Sequence, residues 1–152
     1  MRGMRLIATA CLVAAGTLGM AGTAAAETTT VHGVTETFHD EVPCLGFGEI
    51  TLTFNAVEHE SSTPGGGIHA TFTQTGTFTA VLDAGGTSSG KFTNWGNFNT
   101  ADGVTGNSTF TFNLRVTSGV GAGTSFHEND HFNGALDELT DPKVAFEKSR
   151  CS

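Results

Sequence analysis

The chain has 152 residues, with seven basic and 15 acidic side chains, 21 glycines and no tyrosine. This length fits one domain with one hydrophobic core. A formal charge of −8 repels phosphate groups, so we expect no nucleic-acid partner and no anionic lipid surface.

The first 26 residues predict a secretory signal peptide. A basic start, MRGMR, precedes the apolar run LIATACLVAAGTLGMAG, and Ala24 and Ala26 form an A-x-A cleavage pattern. Cleavage there removes Arg2 and Arg5 and leaves one domain, residues 27–152, with a formal charge of −10 (5 − 15). We therefore expect a secreted, acidic protein that contacts no membrane in its mature form.

Seven later segments show the period-two alternation of half-buried strands. In chain order they are VHGVTETFH (31–39), EITLTFNAVEHE (49–60), IHATFTQTGTFTAVLD (68–83), GKFTNWGNFNT (90–100), STFTFNLRVT (108–117), TSFHENDHFN (124–133) and KVAFEK (143–148). The third segment would be about 50 Å long if straight, which predicts a bend or bulge at Gly76.

These strands predict an all-β fold, a single antiparallel β-barrel of about seven or eight strands. A barrel is favoured because closure removes exposed threonine-rich edges. A β-sandwich is the alternative. An immunoglobulin-type sandwich is disfavoured because Cys151 follows the last strand and no tyrosine is present.

Two cysteines, Cys44 and Cys151, remain after removal of the signal peptide. An even number of cysteines in an exported chain predicts that they form a disulfide. In the chain-entropy model, closing a loop of this length stabilises the fold by about 4–5 kcal/mol.

Several segments carry a resemblance: TETFHDEVPC, TQTGTFTAVL, GNSTFTFNLRV, FHENDHFN and the terminal VAFEKSRC. They cover most of the mature chain, which resembles a group of small exported β-rich proteins of high-GC bacteria. The resemblance implies the fold and export and no particular activity. The outline is also similar to calycin-like and allene-oxide-cyclase-like barrels, an analogy of architecture alone.

The stretch HENDHFNGALD (127–137) has the letters of a metzincin zinc site, with His127, His131 and Asp137 as ligands and Glu128 as the base. Two histidines four residues apart chelate one ion on a helix, but on a strand they lie ~13 Å apart. Phe126 and Phe132 share a face only on a strand, and no methionine follows residue 20 to form the methionine turn. We therefore predict a strand here and no metal site.

On that strand Glu128 and Asp130 point inward between the two phenylalanines, where they can anchor a ligand or transfer a proton. Arg115 on the preceding strand is the candidate counter-charge, and a bulge that turns both acids to solvent is the alternative. Trp95, the single tryptophan, is a candidate for the mouth of the pocket.

The sequence thus predicts a secreted barrel that binds a small, mostly apolar ligand inside, without a cofactor. The expected ligand-binding residues are Glu128, Asp130, Trp95, Phe112, Phe126 and Phe132. One alternative is an enzyme, either a barrel cyclase or isomerase using the two acids or the zinc protease. Another is a protein-binding module or protease inhibitor. No catalytic residue is assigned.

Overall fold

The computed structural model describes residues 25–101, 105–135 and 144–152. Nearly all of the predicted signal peptide lies outside these residues. The described chain forms seven strands, numbered in chain order: β1 (Ala25–Val42), β2 (Gly46–Ser62), β3 (Ile68–Leu82), β4 (Thr87–Thr100), β5 (Thr105–Gly119), β6 (Ser125–Ala135) and β7 (Val144–Cys151).

The seven strands form one antiparallel sheet in which each strand pairs with its neighbours in the chain, in the order β1 to β7. The predicted all-β class is therefore confirmed, and each predicted strand overlaps one observed strand. Threonine, valine and phenylalanine favour this pleated conformation, and the glycine-rich segments between strands supply the turns.

The sheet is not closed into a barrel, so the prediction of closure is wrong. The described strands form a meander with β1 and β7 as its two edges. The sandwich alternative also fails, because there is one sheet and not two. Instead of a seventh row of backbone hydrogen bonds, a disulfide joins the turn after β1 to the end of β7.

The disulfide between Cys44 and Cys151, predicted from the cysteine count, shows that the sheet curls. In a flat sheet, five to six strand spacings of about 4.8 Å would separate these residues by roughly 25 Å. Their Cα atoms are 6.0 Å apart. Leu45 in the same turn also approaches Gly121 in the β5–β6 turn, since a Cβ on that glycine would lie 2.3 Å from Leu45 Cδ2. We call this end of the sheet the disulfide end.

The core lies on the concave face of the curled sheet, toward the disulfide end. Val116 is 0% exposed and Val42 is 1% exposed, which a single flat sheet without a second layer cannot achieve. Around them pack the remaining buried apolar side chains: Ile50, Phe54, Phe78, Ala80, Leu82, Phe92, Phe112 and Leu114. Apolar burial on this face is the main stabilising contribution to the fold.

Gly76 does not mark a bulge, so of the predicted bend or bulge only the bend is left open. β3 pairs in continuous register with both neighbours through this position, where Gly76 lies opposite Phe54 and Phe92. A Cβ here would lie 2.3 Å from the carbonyl oxygen of Thr53 and 2.7 Å from Phe54 Cβ. Glycine therefore serves close packing on a strongly curled strand.

Removing the disulfide should cost much of the stability of the fold, because it closes a loop with a sequence separation of 107 residues. We expect the variant Cys151→Ser to lose about 4–5 kcal/mol of unfolding free energy, measured by denaturant titration. The double variant Cys44→Ser/Cys151→Ser is the control and should match it. A loss below about 1 kcal/mol in both would contradict a role for the bridge in holding the curl.

An exposed ion pair at the disulfide end should make stability depend on pH. His39 Nε2 lies 3.0 Å from Asp83 Oδ1, and the hydrogen bond and charge of Asp83 raise the pKa of His39 above 6.5. The ion pair therefore contributes its full stabilisation of the folded state at pH values below the pKa that His39 has in the unfolded chain. This stabilisation is lost as the pH rises through the pKa of His39 in the folded protein.

We therefore expect the difference in melting temperature between the protein and its Asp83→Asn variant to be larger at about pH 5.5 than at about pH 8.5. The variant Glu41→Gln, on the same strand as His39, should keep the pH dependence of the parent protein. An equal difference in melting temperature at both pH values would show that the ion pair makes no pH-dependent contribution to stability.

Candidate functional site

The middle of the concave face carries a row of polar side chains above the apolar core. In the strand register, Gln74 of β3 lies opposite Asn94 of β4, and Phe112 of β5 lies between Asn94 and Glu128 of β6. Gln74, Asn94 and Glu128 are all buried; we call these three the polar belt. Buried polar groups are normally hydrogen-bonded, and their alignment across β3, β4 and β6 makes this row a candidate site.

Asn94 is the central residue of the polar belt and is 0% exposed. Its Nδ2 donates a hydrogen bond of 3.0 Å to Gln74 Oε1. Its Oδ1 is buried and accepts no hydrogen bond from the described residues. A buried acceptor without a donor costs about 1–3 kcal/mol, so the belt offers a position that a donor group would satisfy.

The two carboxylates of β6 lie on the concave side, as expected. Glu128 is 1% exposed and Asp130 is half-buried. The alternative of a bulge that turns both acids to solvent therefore fails for Glu128. The β5–β6 register is continuous from Ser125 to Ala135.

The predicted counter-charge is wrong, because Arg115 lies on the other face. Arg115 pairs with Lys91 on β4 and Ser125 on β6, and it is exposed. Leu114, its neighbour in the chain, takes the inward position and belongs to the core. The alternation of β5 therefore fixes Arg115 on the convex surface.

Beyond the polar belt, the concave face is apolar but only partly covered. Four phenylalanines lie there with intermediate exposure, one on each of β3 to β6: Phe72, Phe98, Phe110 and Phe132. The rings of Phe72 and Phe110 are 6.4 Å apart. We call these four the phenylalanine rim. They differ from the core phenylalanines nearer the disulfide end, which are fully buried.

A third acid lies beside the rim. Glu58 of β2 pairs with Phe72 and is half-buried. Burial raises the pKa of the Glu58 carboxyl, and the charge of Glu60 raises it further. The carboxylate is thus less favourable here than in water, and a nearby positive charge would lower the pKa again.

The aromatic residues predicted for the site lie in three different parts of the sheet: the core, the phenylalanine rim and the outer face. Phe112 is a core residue, with its ring 6.2 Å from Phe92 and 6.1 Å from Phe126. Phe126 packs against the core from β6, and Phe132 belongs to the rim. Trp95 lies on the outer face and is 45% exposed. It therefore does not line the mouth of a pocket on the concave face, where the sequence placed it.

The HENDH stretch forms a strand, and both histidines lie on its outer face. The Cα atoms of His127 and His131 are thus ~13 Å apart along β6, and Asp137 lies outside the described residues. His127 Nδ1 donates to Asn113 Oδ1 at 2.6 Å, and its Nε2 accepts from Asn129 Nδ2 at 3.3 Å. Both nitrogens are occupied, so the zinc-protease alternative lacks its two-histidine chelate.

The other histidines do not gather either. Within the described residues, no group of three or more His, Cys, Asp or Glu side chains is arranged to hold a metal ion. His39 and His69 each contact a residue of another strand or turn instead, Asp83 and Asn99 respectively.

A shallow pocket of about 320 Å³ lies at the end of the sheet opposite the disulfide, between the 63–67 turn, the end of β4 and the start of β5. Asn99 Nδ2 donates to Asn107 Oδ1 at 3.2 Å on its wall. Its size is within the range of small-ligand sites. Asn99 and Asn107 have the same parity on their strands as the outward-facing residues, and no phenylalanine of the rim lines the pocket.

Sequence patterns did not assign the polar residues Gln74, Asn94 and Glu58 to a site, nor three phenylalanines of the rim: Phe72, Phe98 and Phe110. Gln74 gave a signal, since it interrupts the apolar alternation of β3. Asn94 gave none, because asparagine is frequent on β4 and only the cross-strand register distinguishes the buried one. Burial of Glu58 depends on the curl of the sheet, which the local sequence does not encode.

Removal of metal should have no effect on this protein. Protein purified without chelator should hold no stoichiometric zinc by elemental analysis, and excess EDTA should leave its melting temperature unchanged, because the two imidazoles of β6 cannot reach one ion. Replacing His127 with alanine is the matched test and should not alter metal content. About one zinc per chain that survives dialysis would contradict the strand geometry.

In the described part of the chain, no helix is long and apolar enough to cross a membrane. Comparison of the chain with protein-family models, curated proteins and solved structures finds no match. The resemblance to exported β-rich proteins of high-GC bacteria therefore stays a prediction. Any function must be argued from the geometry of the concave and outer faces.

Proposed function

We propose that this is an exported binding protein that holds a small, mostly apolar ligand with a positively charged or hydrogen-bond-donating group on the concave face of its sheet. The disulfide and the absence of a membrane-spanning helix in the described residues are compatible with an extracellular location. The predicted signal peptide supports export.

The observation that carries this proposal is the burial of Glu128. Glu128 is 1% exposed, and a buried carboxylate interacts more strongly with a donor or a cation than one in water. The acceptor Oδ1 of Asn94 lies in the same cross-strand row, two strands away. Carboxylates and amide oxygens together favour a ligand that donates hydrogen bonds or carries a positive charge.

The acidic residues of the concave face favour a positively charged ligand. The described strands β1 to β6 place no Lys or Arg on this side, whereas Glu58, Glu128 and Asp130 lie there. An anionic ligand would be repelled by these groups. Burial raises the pKa of Glu58, as expected of an acid on a face where the described strands β1 to β6 carry no Lys or Arg.

The phenylalanine rim supports an apolar body for the same ligand. Its four rings remain partly exposed on a concave apolar surface, where they can cover alkyl or aromatic groups. Aromatic faces also attract cations, by about 0.5–2 kcal/mol each. A small amphipathic cation therefore matches the polar belt and the rim together.

The test compares decyltrimethylammonium with decanoate, two amphiphiles of similar chain length and opposite charge. Binding to the mature protein, measured by calorimetry with both amphiphiles as monomers, should be at least about tenfold tighter for the cation. The variant Glu128→Gln, which keeps the size of the side chain, should weaken binding of the cation about tenfold and should strengthen, not weaken, binding of decanoate.

The matched control is Glu49→Gln, which removes an acid of β2 that is exposed on the outer face. It should leave both affinities unchanged. Equal binding of the two amphiphiles, or no effect of Glu128→Gln in a variant that melts like the parent, would rule out the proposed site.

A further inference from the structure

The outer face of β4 to β7 collects the positive charge of the chain. Outside the predicted signal peptide there are five basic residues, and four of them lie exposed on this face: Lys91, Arg115, Lys148 and Arg150. The fifth, Lys143, lies outside the described residues. β4 and β5 contain no acidic residue, and both acids of β6 point to the concave side. We call this surface the basic face.

Two of these cations are held side by side. Lys91 and Arg115 are directly opposite each other on β4 and β5, and neither forms an ion pair within the described residues. Like charges opposite each other on neighbouring strands destabilise a sheet. Edge strands often carry lysine to prevent aggregation, which accounts for Lys148 and Arg150 on β7. It does not account for two cations on interior strands, which an anionic partner would stabilise.

A hydrogen-bonded row of neutral side chains lies between the two pairs of cations. Asn113 Nδ2 donates to Thr93 Oγ1 at 3.3 Å, and His127 Nδ1 donates to Asn113 Oδ1 at 2.6 Å. Asn129 Nδ2 donates to His127 Nε2 at 3.3 Å, and Thr111 Oγ1 donates to Asn129 Oδ1 at 2.5 Å. Each amide keeps spare donor and acceptor capacity for a partner, and its orientation is already fixed.

Trp95 completes the surface, since it lies directly opposite Thr111 at one end of this row. Its indole is 45% exposed amid hydroxyl and amide side chains. An exposed indole provides a flat apolar surface with one hydrogen-bond donor. Trp95 is four residues from Lys91 and three strands from Lys148, so each cation lies ~13–15 Å away.

We propose that the basic face binds an acidic polysaccharide. The indole stacks on the apolar face of a sugar ring, the amides and His127 hydrogen-bond its hydroxyl groups, and the cations on either side pair with carboxylates of neighbouring sugars. A polymer fits better than a single sugar, because the cations lie too far from Trp95 to contact the same ring. This site is separate from the concave site, and either proposal can fail without the other.

The test uses the full mature protein and measures retardation by polygalacturonate in native gels, with uncharged dextran as the control polymer. We expect retardation by polygalacturonate that weakens with added salt, and none by dextran. Trp95→Ala and Lys91→Gln/Arg115→Gln should each weaken binding about tenfold or more, and Trp95→Phe should keep part of it.

The matched control for the tryptophan is Val57→Ala, since Val57 is also 45% exposed and lies in the same cross-strand row on β2. It should bind like the parent protein. The proposal is overturned if polygalacturonate does not retard the protein, or if variants that melt like the parent bind unchanged. Tighter binding of poly(dT) than of polygalacturonate would also overturn it and assign the face to nucleic acid.

Discussion

Alternation of side chains across a pleated strand decides where every functional group of this protein lies. Successive residues of a strand point to opposite faces, so Glu128 is buried while His127 beside it is on the surface. Continuous pairing of β3 with β4 and of β5 with β6, with one register shift between β4 and β5 at Ser89/Gly90, carries the pattern across the sheet. A shift of one residue would bury the basic residues and expose the phenylalanines. The apolar side chains on the concave face specify the register, and the polar groups follow.

Because the sheet curls, the two faces that alternation defines become a concave inner face and a convex outer face. A meander of seven strands has two free edges, and edges invite pairing with other chains. Here the disulfide of Cys44 and Cys151 holds the two edges together at one end, where the core is completely buried. Toward the other end the phenylalanine rim is only partly covered. A single covalent link thus permits a packed core and an accessible concave surface on the same sheet.

Much of this architecture could be predicted from the sequence, because strand periodicity and cysteine pairing are local or countable signals. The seven strands, the disulfide and the inward direction of Glu128 follow from them. Closure was predicted wrongly because it depends on whether β1 and β7 pair, a contact between the ends of the chain. Trp95 was assigned to the pocket mouth and Arg115 to the interior from residue type and strand adjacency, although alternation along β4 and β5 places both opposite the inward phenylalanines. The polar belt and the basic face depend on register across four strands, which sequence patterns do not supply.

The central claim is that the sheet separates charge, with acids on the concave side and bases on the outer face around Trp95. Quenching of the single tryptophan by iodide and by caesium, each relative to N-acetyltryptophanamide and at equal and low ionic strength, tests this most directly. We predict relatively stronger quenching by iodide, although the mature chain has an expected charge of −10 (5 − 15), because the charged side chains on the outer face of β4 to β7 around Trp95 are lysines and arginines and low salt screens them weakly. Stronger quenching by caesium, or protection from both ions, would contradict the placement of Trp95 and with it the separation of the two faces.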